Sequence, residues 1–418
     1  MEIEQACEKV VLAGKKLLKS GLVARTWGNV SCRISDRQFV ITPSGRAYES
    51  IIPEEIVTVN INDGSYSGDL IPSSEKDLHA EIYKHRKDVN FIIHTHQVSA
   101  SALSSLRVDI PVLDLKSTAF LGKRVACAAY GLPGSQKLKK EAVAALARYE
   151  GRAILLANHG AVCLGKDMEE AFQVAFKLEK NCVDYTCQRY VELNDGGTNH
   201  KAIDEAALRD CYVRKWALKP VFDRKVPLKY LFNSERNGDS FMLYDHTTAG
   251  EPFPGARVSY KGINIDKLEQ DNKSERVPLE AELHREIYKR YDNISAIIHT
   301  TDPDILAVSR TGRNARPLLD DFAQIIGTCA RVAKYDGTLK SAQEVAARLK
   351  GNNAVLLIEN GALCCGPNKY DASAAVMVLA KNCKAMINAA LLGKEKPINP
   401  LETRLMRHIY LKEYSKLI

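Results

Sequence analysis

The chain has 418 residues, 45% hydrophobic and 26% charged, with 25 Gly and 15 Pro, proportions that exclude disordered, collagenous and low-complexity classes and suit two or three globular domains. The formal charge of +8 is spread along the chain and leaves no concentrated basic footprint of a nucleic-acid binder. Eleven cysteines occur without a CxxC framework, many of them inside apolar runs, so they read as small reduced hydrophobes.

Along the chain, residues 1–20 carry an amphipathic helical pattern. Glu8, Lys9, Lys15 and Lys16 interrupt it, unlike the apolar core of a signal peptide. Phe39-Val40-Ile41-Thr42 and Ala153-Ile154-Leu155-Leu156 read as buried strands. Lys137-Leu138-Lys139-Lys140 opens an Ala-rich helix as a solvated face, and residues 167–192 form a long helix with Ala171, Val174, Ala175 and Leu178 on one side. No eighteen apolar residues run together, so no membrane span is expected, and the setting expected is the cytoplasm.

The chain also repeats itself. Leu78-His79-Ala80-Glu81-Ile82-Tyr83-Lys84 returns as Leu283-His284-Arg285-Glu286-Ile287-Tyr288-Lys289, and Ile92-Ile93-His94-Thr95 as Ile297-Ile298-His299-Thr300. Leu155 to Ala161 and Lys180-Asn181-Cys182 return around Asn360-Gly361-Ala362 and Lys381-Asn382-Cys383. A repeat near half the chain length means two whole domains. The turn formers Asn194-Asp195-Gly196-Gly197-Thr198-Asn199 place the boundary, giving domains 1–198 and 199–418. Strands interleaved with helices make each an α/β layered domain.

The first half alone carries a histidine constellation. His94-Thr95-His96 follows Phe91-Ile92-Ile93, and on a strand residues i and i+2 share a face, so both imidazoles converge. Such a pair suits a divalent transition metal, zinc first, or else is a polar pair at a strand end. His159 in Asn158-His159-Gly160 follows a second buried strand. It would complete three ligands and leave a fourth position open, as catalytic zinc requires. Ser73-Ser74-Glu75 opens an amphipathic helix. It reads either as an N-cap with an acidic first turn or as an anion site beside a carboxylate base. Gly28-Asn29-Val30-Ser31 and Thr42-Pro43-Ser44-Gly45 are turn pieces whose backbone N–H groups could wrap a phosphate, whereas His79 and His85 read as structural.

Trp27-Gly28-Asn29-Val30-Ser31, Thr42-Pro43-Ser44-Gly45, Ser73-Ser74-Glu75, His94-Thr95-His96 and Asn158-His159-Gly160 resemble, in order and spacing, the class II aldolase/adducin family. The resemblance covers residues 1–193 well and the second half more weakly. It implies two tandem three-layer α/β/α domains, each a central β-sheet flanked by helices, the second degenerate. It further implies that His94, His96 and His159 hold zinc, that Glu75 is the base, and that Gly28, Asn29, Ser44, Gly45, Ser73 and Ser74 hold the phosphate of a phosphorylated ketose. Cleavage would give dihydroxyacetone phosphate and an aldehyde, the metal stabilising the enediolate left by the broken C–C bond. Other sugar-phosphate reactions of the family (4-epimerisation, dehydration, decarboxylation) and the non-enzymatic role of adducin stay open.

Where family aldolases carry a proton-donating tyrosine, this chain has Leu115. Family members form rings with sites between subunits, so a homo-oligomeric ring alternating first and second domains is expected. The second half would then lend Asp321, or failing that Asp320, as donor; two aspartates opening a helix is the alternative. In the second half His96 aligns with Thr301 and His159 with Asn360, leaving His299, with Glu280 matching Glu75, so one metal per chain is expected.

Overall fold

The computed structural model describes residues 2–23, 27–194, 203–217, 232–245, 259–266, 278–393 and 395–414. Contacts group the chain into two compact units. The first comprises Met1–Glu205, Leu318–Asp320 and Asn388–Ile418; the second comprises Ala206–Pro317 and Asp321–Ile387. Most of the turn cluster expected at the domain boundary, residues 195–199, lies outside the described residues.

The first unit is built on an eight-stranded sheet of β1 (Asn29–Arg33), β2 (Gln38–Ile41), β3 (Val57–Asn60), β4 (Phe91–Thr95), β5 (Ile110–Pro111), β6 (Arg124–Ala128), β7 (Ala153–Leu156) and β8 (Gly160–Gly165). The order is β3-β2-β1-β4-β8-β7-β6-β5. Only β6 and β7 run parallel; the other neighbours are antiparallel. Its helices include α1 (Ile3–Lys19), α2 (Lys76–His85), α3 (Val98–Ser104), α4 (Leu115–Leu121), α5 (Gln136–Leu146) and α6 (Met168–Asn194). On one face of the sheet Phe39, Ile41, Ile92, Ile154 and Leu164 pack with Ile82, Tyr83 and Leu138 of α2 and α5. α6 contacts β4 and β8 and α3 contacts β7 and β8, so the central strands are buried throughout and their sequences lack the alternation of a half-solvated antiparallel sheet.

The second unit repeats this plan in a seven-stranded sheet. Its central strands are Phe232–Asn237, Ala296–Thr300 and Ala362–Gly366, and helix Glu280–Arg290 packs in the manner of α2. The repeated His and Tyr of the sequence hold the same hydrogen-bond network in both units. Ser31 Oγ lies 2.6 Å from His79 Nδ1 and 2.8 Å from Tyr83 Oη; Ser234 Oγ lies 2.7 Å from His284 Nδ1 and 2.8 Å from Tyr288 Oη. Phe39 meets the Tyr83 ring, and Phe241 the Tyr288 ring, with centroids 5.3 Å apart in both cases. Each network satisfies polar groups that burial would otherwise penalise by about 1–3 kcal/mol apiece. His79 is therefore part of the scaffold.

One helix, Lys369–Leu392, has the length and apolar composition to cross a membrane, but 67% of its most apolar stretch is buried within the fold, as in a core helix. None of the eleven cysteines forms a disulfide, and eight are buried.

Candidate active site

The site is assembled at one end of β4 and β8. His94 is the fourth residue of β4 and His96 follows its end, so the alternation of the strand turns both rings to one side. His159 comes from the tight connection between the antiparallel strands β7 and β8, whose register pairs Leu156 with Gly160. The connection turns at Asn158, φ +61°, a left-handed conformation that asparagine tolerates better than most side chains. The three rings meet with His94 Nε2 at 3.0 Å from His96 Nε2 and 2.9 Å from His159 Nε2.

Glycines make this approach possible. A Cβ on Gly160 would stand 2.2 Å from the Thr95 carbonyl oxygen, and one on Gly28 would stand 2.4 Å from that of His94. Gly28 also has φ +78°, and Tyr48 Oη donates to its carbonyl at 3.1 Å. Trp27 stacks near His96 with ring centroids 6.4 Å apart.

Glu75 closes the cluster. Its Oε2 lies 3.5 Å from His94 Nε2, its Oε1 lies 3.4 Å from His159 Nε2, and Asn29 Nδ2 donates to Oε2 at 2.9 Å. Burial disfavours the charged forms of both partners. It brings His94 down to about 4, whereas for Glu75 it is outweighed by His94, His159, Asn29 and His96, which hold the carboxyl down at about 2. Neither serine is the helix N-cap: Glu75 occupies that position, with its carboxylate turned to the histidines, and Ser73 Oγ accepts from the Glu75 N–H at 3.3 Å.

The remaining motif residues line up beside this cluster. Ser44 N donates to Ile71 O at 2.8 Å and Ser73 N to Thr42 O at 3.1 Å, which zips the loop carrying Ser44 and Gly45 to the one carrying Ser73 and Ser74. Ser73 is buried and Ser74 exposed, and Gly45 adopts φ +73°.

The donor set fits a metal. One ring nitrogen, that of His94, faces two others, and one lone pair cannot serve both, so imidazoles this close, those of His94 and His159 buried and that of His96 half-buried, call for a cation among them. Imidazole nitrogens spaced near 3 Å beside a carboxylate match a tetrahedral site, whose ligand atoms stand roughly 3.4 Å apart at Zn–N bonds of about 2.1 Å. Among the described residues the second unit gathers no such set. His299 Nε2 donates to the Asn360 carbonyl at 2.7 Å, which leaves no lone pair on that nitrogen, and burial raises the carboxyl of Glu280.

Leu115 opens α4 and is 89% exposed. Asp320 and Asp321 do open a helix, Asp320–Ile325. In the second unit Asp321 is buried in an ion pair with Lys381. Asp320 belongs to the first unit, and its Oδ2 lies 2.7 Å from His159 Nδ1, a role that nothing in its local sequence signals.

A family profile described as "Class II Aldolase and Adducin N-terminal domain" matches residues 8–186 and 256–387. The chain is 36% identical over 180 residues to 5-deoxy-D-ribulose 1-phosphate aldolase of Bacillus thuringiensis serovar kurstaki, covering 43% of this chain and 83% of that protein. It is 35% identical over 166 residues to L-fuculose phosphate aldolase of Methanocaldococcus jannaschii, covering 40% and 87%. Among solved structures, an L-fuculose 1-phosphate aldolase shares 30% identity at a TM-score of 0.42, covering 49% of this chain and 92% of that one. The chain belongs to the class II aldolase and adducin family. Within the family it falls with the enzymes, as an aldolase-type lyase.

Proposed function

We propose that the chain is a zinc-dependent aldolase that cleaves a phosphorylated ketose into dihydroxyacetone phosphate and an aldehyde. The observation that carries this reading is the convergence of three imidazole nitrogens beside a buried carboxylate. Relatives named for ketose phosphates with the phosphate on C1 favour that substrate class. In this reading residues 1–198 are the catalytic domain and 199–418 a degenerate copy, set in a cytoplasmic homo-oligomer whose ring alternates the two.

His94, His96 and His159 would hold the metal. When bound, it supplies Lewis acidity that stabilises negative charge developing on the substrate carbonyl oxygen. Glu75 exchanges the proton on the carbon next to that carbonyl: it takes the proton in the condensation direction and returns it in cleavage. Its depressed carboxyl provides the base form needed in condensation. Asn29 orients that carboxylate, and Gly28, Ser44, Gly45, Ser73 and Ser74 offer N–H and hydroxyl donors to the phosphate. In cleavage the hydroxyl next to the breaking bond must lose a proton. Asp321 is the group we assign to that transfer in place of the missing tyrosine. An Asp321→Asn chain should keep its metal and lose turnover.

The test is a screen of C4 to C6 ketose phosphates with zinc-loaded protein, coupled to detection of dihydroxyacetone phosphate. Release from a ketose 1-phosphate is expected. Conversion without that release would move the reaction to an epimerase, dehydratase or decarboxylase, and a purified chain that binds no metal would overturn the reading.

A further inference from the structure

We propose that Asp320 is a positioning residue of the metal site, holding His159 in the tautomer that turns an unprotonated Nε2 toward His94 and His96. This rests on the reading of those histidines as metal ligands.

The two side chains are in close contact. Asp320 Oδ2 lies 2.7 Å from His159 Nδ1, and both side chains are at least 96% buried, so no bulk water competes for that nitrogen. A neutral imidazole carries one proton. A carboxylate against Nδ1 draws the proton there and leaves the Nε2 lone pair for a cation, the arrangement that orients metal-bound histidines in general. His159 Nε2 is the ring atom that faces His94 Nε2, at 2.9 Å.

The backbone holds Asp320 in place through the residue next to His159. Asp320 N donates to the Asn158 carbonyl at 2.9 Å. Asn158 Nδ2 donates to Leu318 O at 2.7 Å and to Lys396 O at 3.1 Å, and its Oδ1 accepts from Arg107 Nε at 2.7 Å. Every polar atom of the Asn158 side chain is thereby engaged in fixing segments distant in sequence beside the His159 ring. In the first half of the repeat the counterpart, Asp114, caps α4 by accepting from the N–H groups of Lys116 and Ser117 at 3.2 and 3.1 Å. The same position in the two halves has thus taken up different work, a helix cap in one and a histidine partner in the other.

The experiment uses the full chain. Zinc affinity of wild type, Asp320→Asn and Asp320→Ala is measured by competition with a chromophoric chelator, alongside far-UV circular dichroism and the melting temperature of the metal-free protein. A positioning role predicts zinc binding weakened about 10–100-fold in both variants with secondary structure intact. Zinc affinity equal to wild type in folded variants would overturn the proposal while leaving the metal reading standing; a wild type that binds no zinc would remove the metal reading itself. A second measurement needs no variant: nitrogen-15 chemical shifts of the His159 ring in metal-free wild type, assigned with His159→Gln. A protonated Nδ1 is expected, and a protonated Nε2 would overturn the proposal.

Discussion

Replacing Gly160 by alanine tests how the site is built. The added Cβ would sit 2.2 Å from the Thr95 carbonyl oxygen and 3.6 Å from His94 Cε1. Non-bonded contact needs a carbon–oxygen separation above 3 Å, so strand β4 must retreat by roughly 1 Å between its two metal-ligand candidates. Overpacking of this kind costs about 1–3 kcal/mol, which lowers the melting temperature of a unit this size by about 2–12 °C. Metal sites tolerate about 0.2 Å in ligand distance, so His94 and His96 would leave coordination range and turnover would fall by about 10²-fold. The control is Gly21→Ala in the same unit, where φ is +69° and nothing lies within 4 Å. It carries the backbone penalty of about 1–2 kcal/mol without moving a ligand. Thermal melts, bound metal per chain and the coupled assay read all three effects. A Gly160→Ala protein that melts with wild type and keeps its metal would refute this account of the strand contact.

Glu75→Gln should keep the fold and lower kcat by about 10²–10⁴, the contribution of a positioned acid or base; unchanged turnover rejects Glu75 as that group. Purified chain should carry one tightly bound zinc, measured by elemental analysis, because His299 is engaged with Asn360; two per chain would contradict this. Burial brings His79 and His284 down to about 3, below the 6.5 of an unfolded histidine. Their contribution to stability is complete above pH 6.5 and is lost as the pH falls toward 3, at about 1.4 kcal/mol per pH unit for each histidine. In urea titrations at stepped pH, His79→Asn should flatten that slope by the share of one histidine; an unaltered slope would show that His79 is not neutral in the fold.

The parts of the site visible in the sequence are those whose geometry is local. Two histidines at i and i+2 after an apolar run share a face whichever way the strand runs, so His94 and His96 could be paired without knowing the sheet. His159 could be added because it follows another buried strand, and His79 and His85 could be set aside as structural for want of a metal partner in the sequence. What depends on distant partners was hidden. Strands buried on both faces look alike whether parallel or antiparallel, so a mainly antiparallel sheet could not be told from a parallel one. Serine before an amphipathic helix suggests an N-cap. Here the tertiary pull of Asn29 and the imidazoles puts Glu75 at that position instead. Asp320 lies in the other half of the sequence, and its contact with His159 follows from how Asn158 gathers remote backbone.

The first unit is discontinuous along the chain, drawing in Leu318–Asp320 and Asn388–Ile418 after most of the second unit has been specified. A ribosome delivers residues in order, so His159 emerges long before Asp320 and the Lys396 carbonyl that Asn158 engages. During synthesis the first unit cannot be completed until residues 388–418 have followed, whereas the second unit is fully translated once Ile387 has been added. Assembly of the first unit around the histidine cluster is thereby tied to the synthesis of residues 388–418, and a chain stalled or clipped before residue 388 would display three histidines on a unit still missing one of its segments.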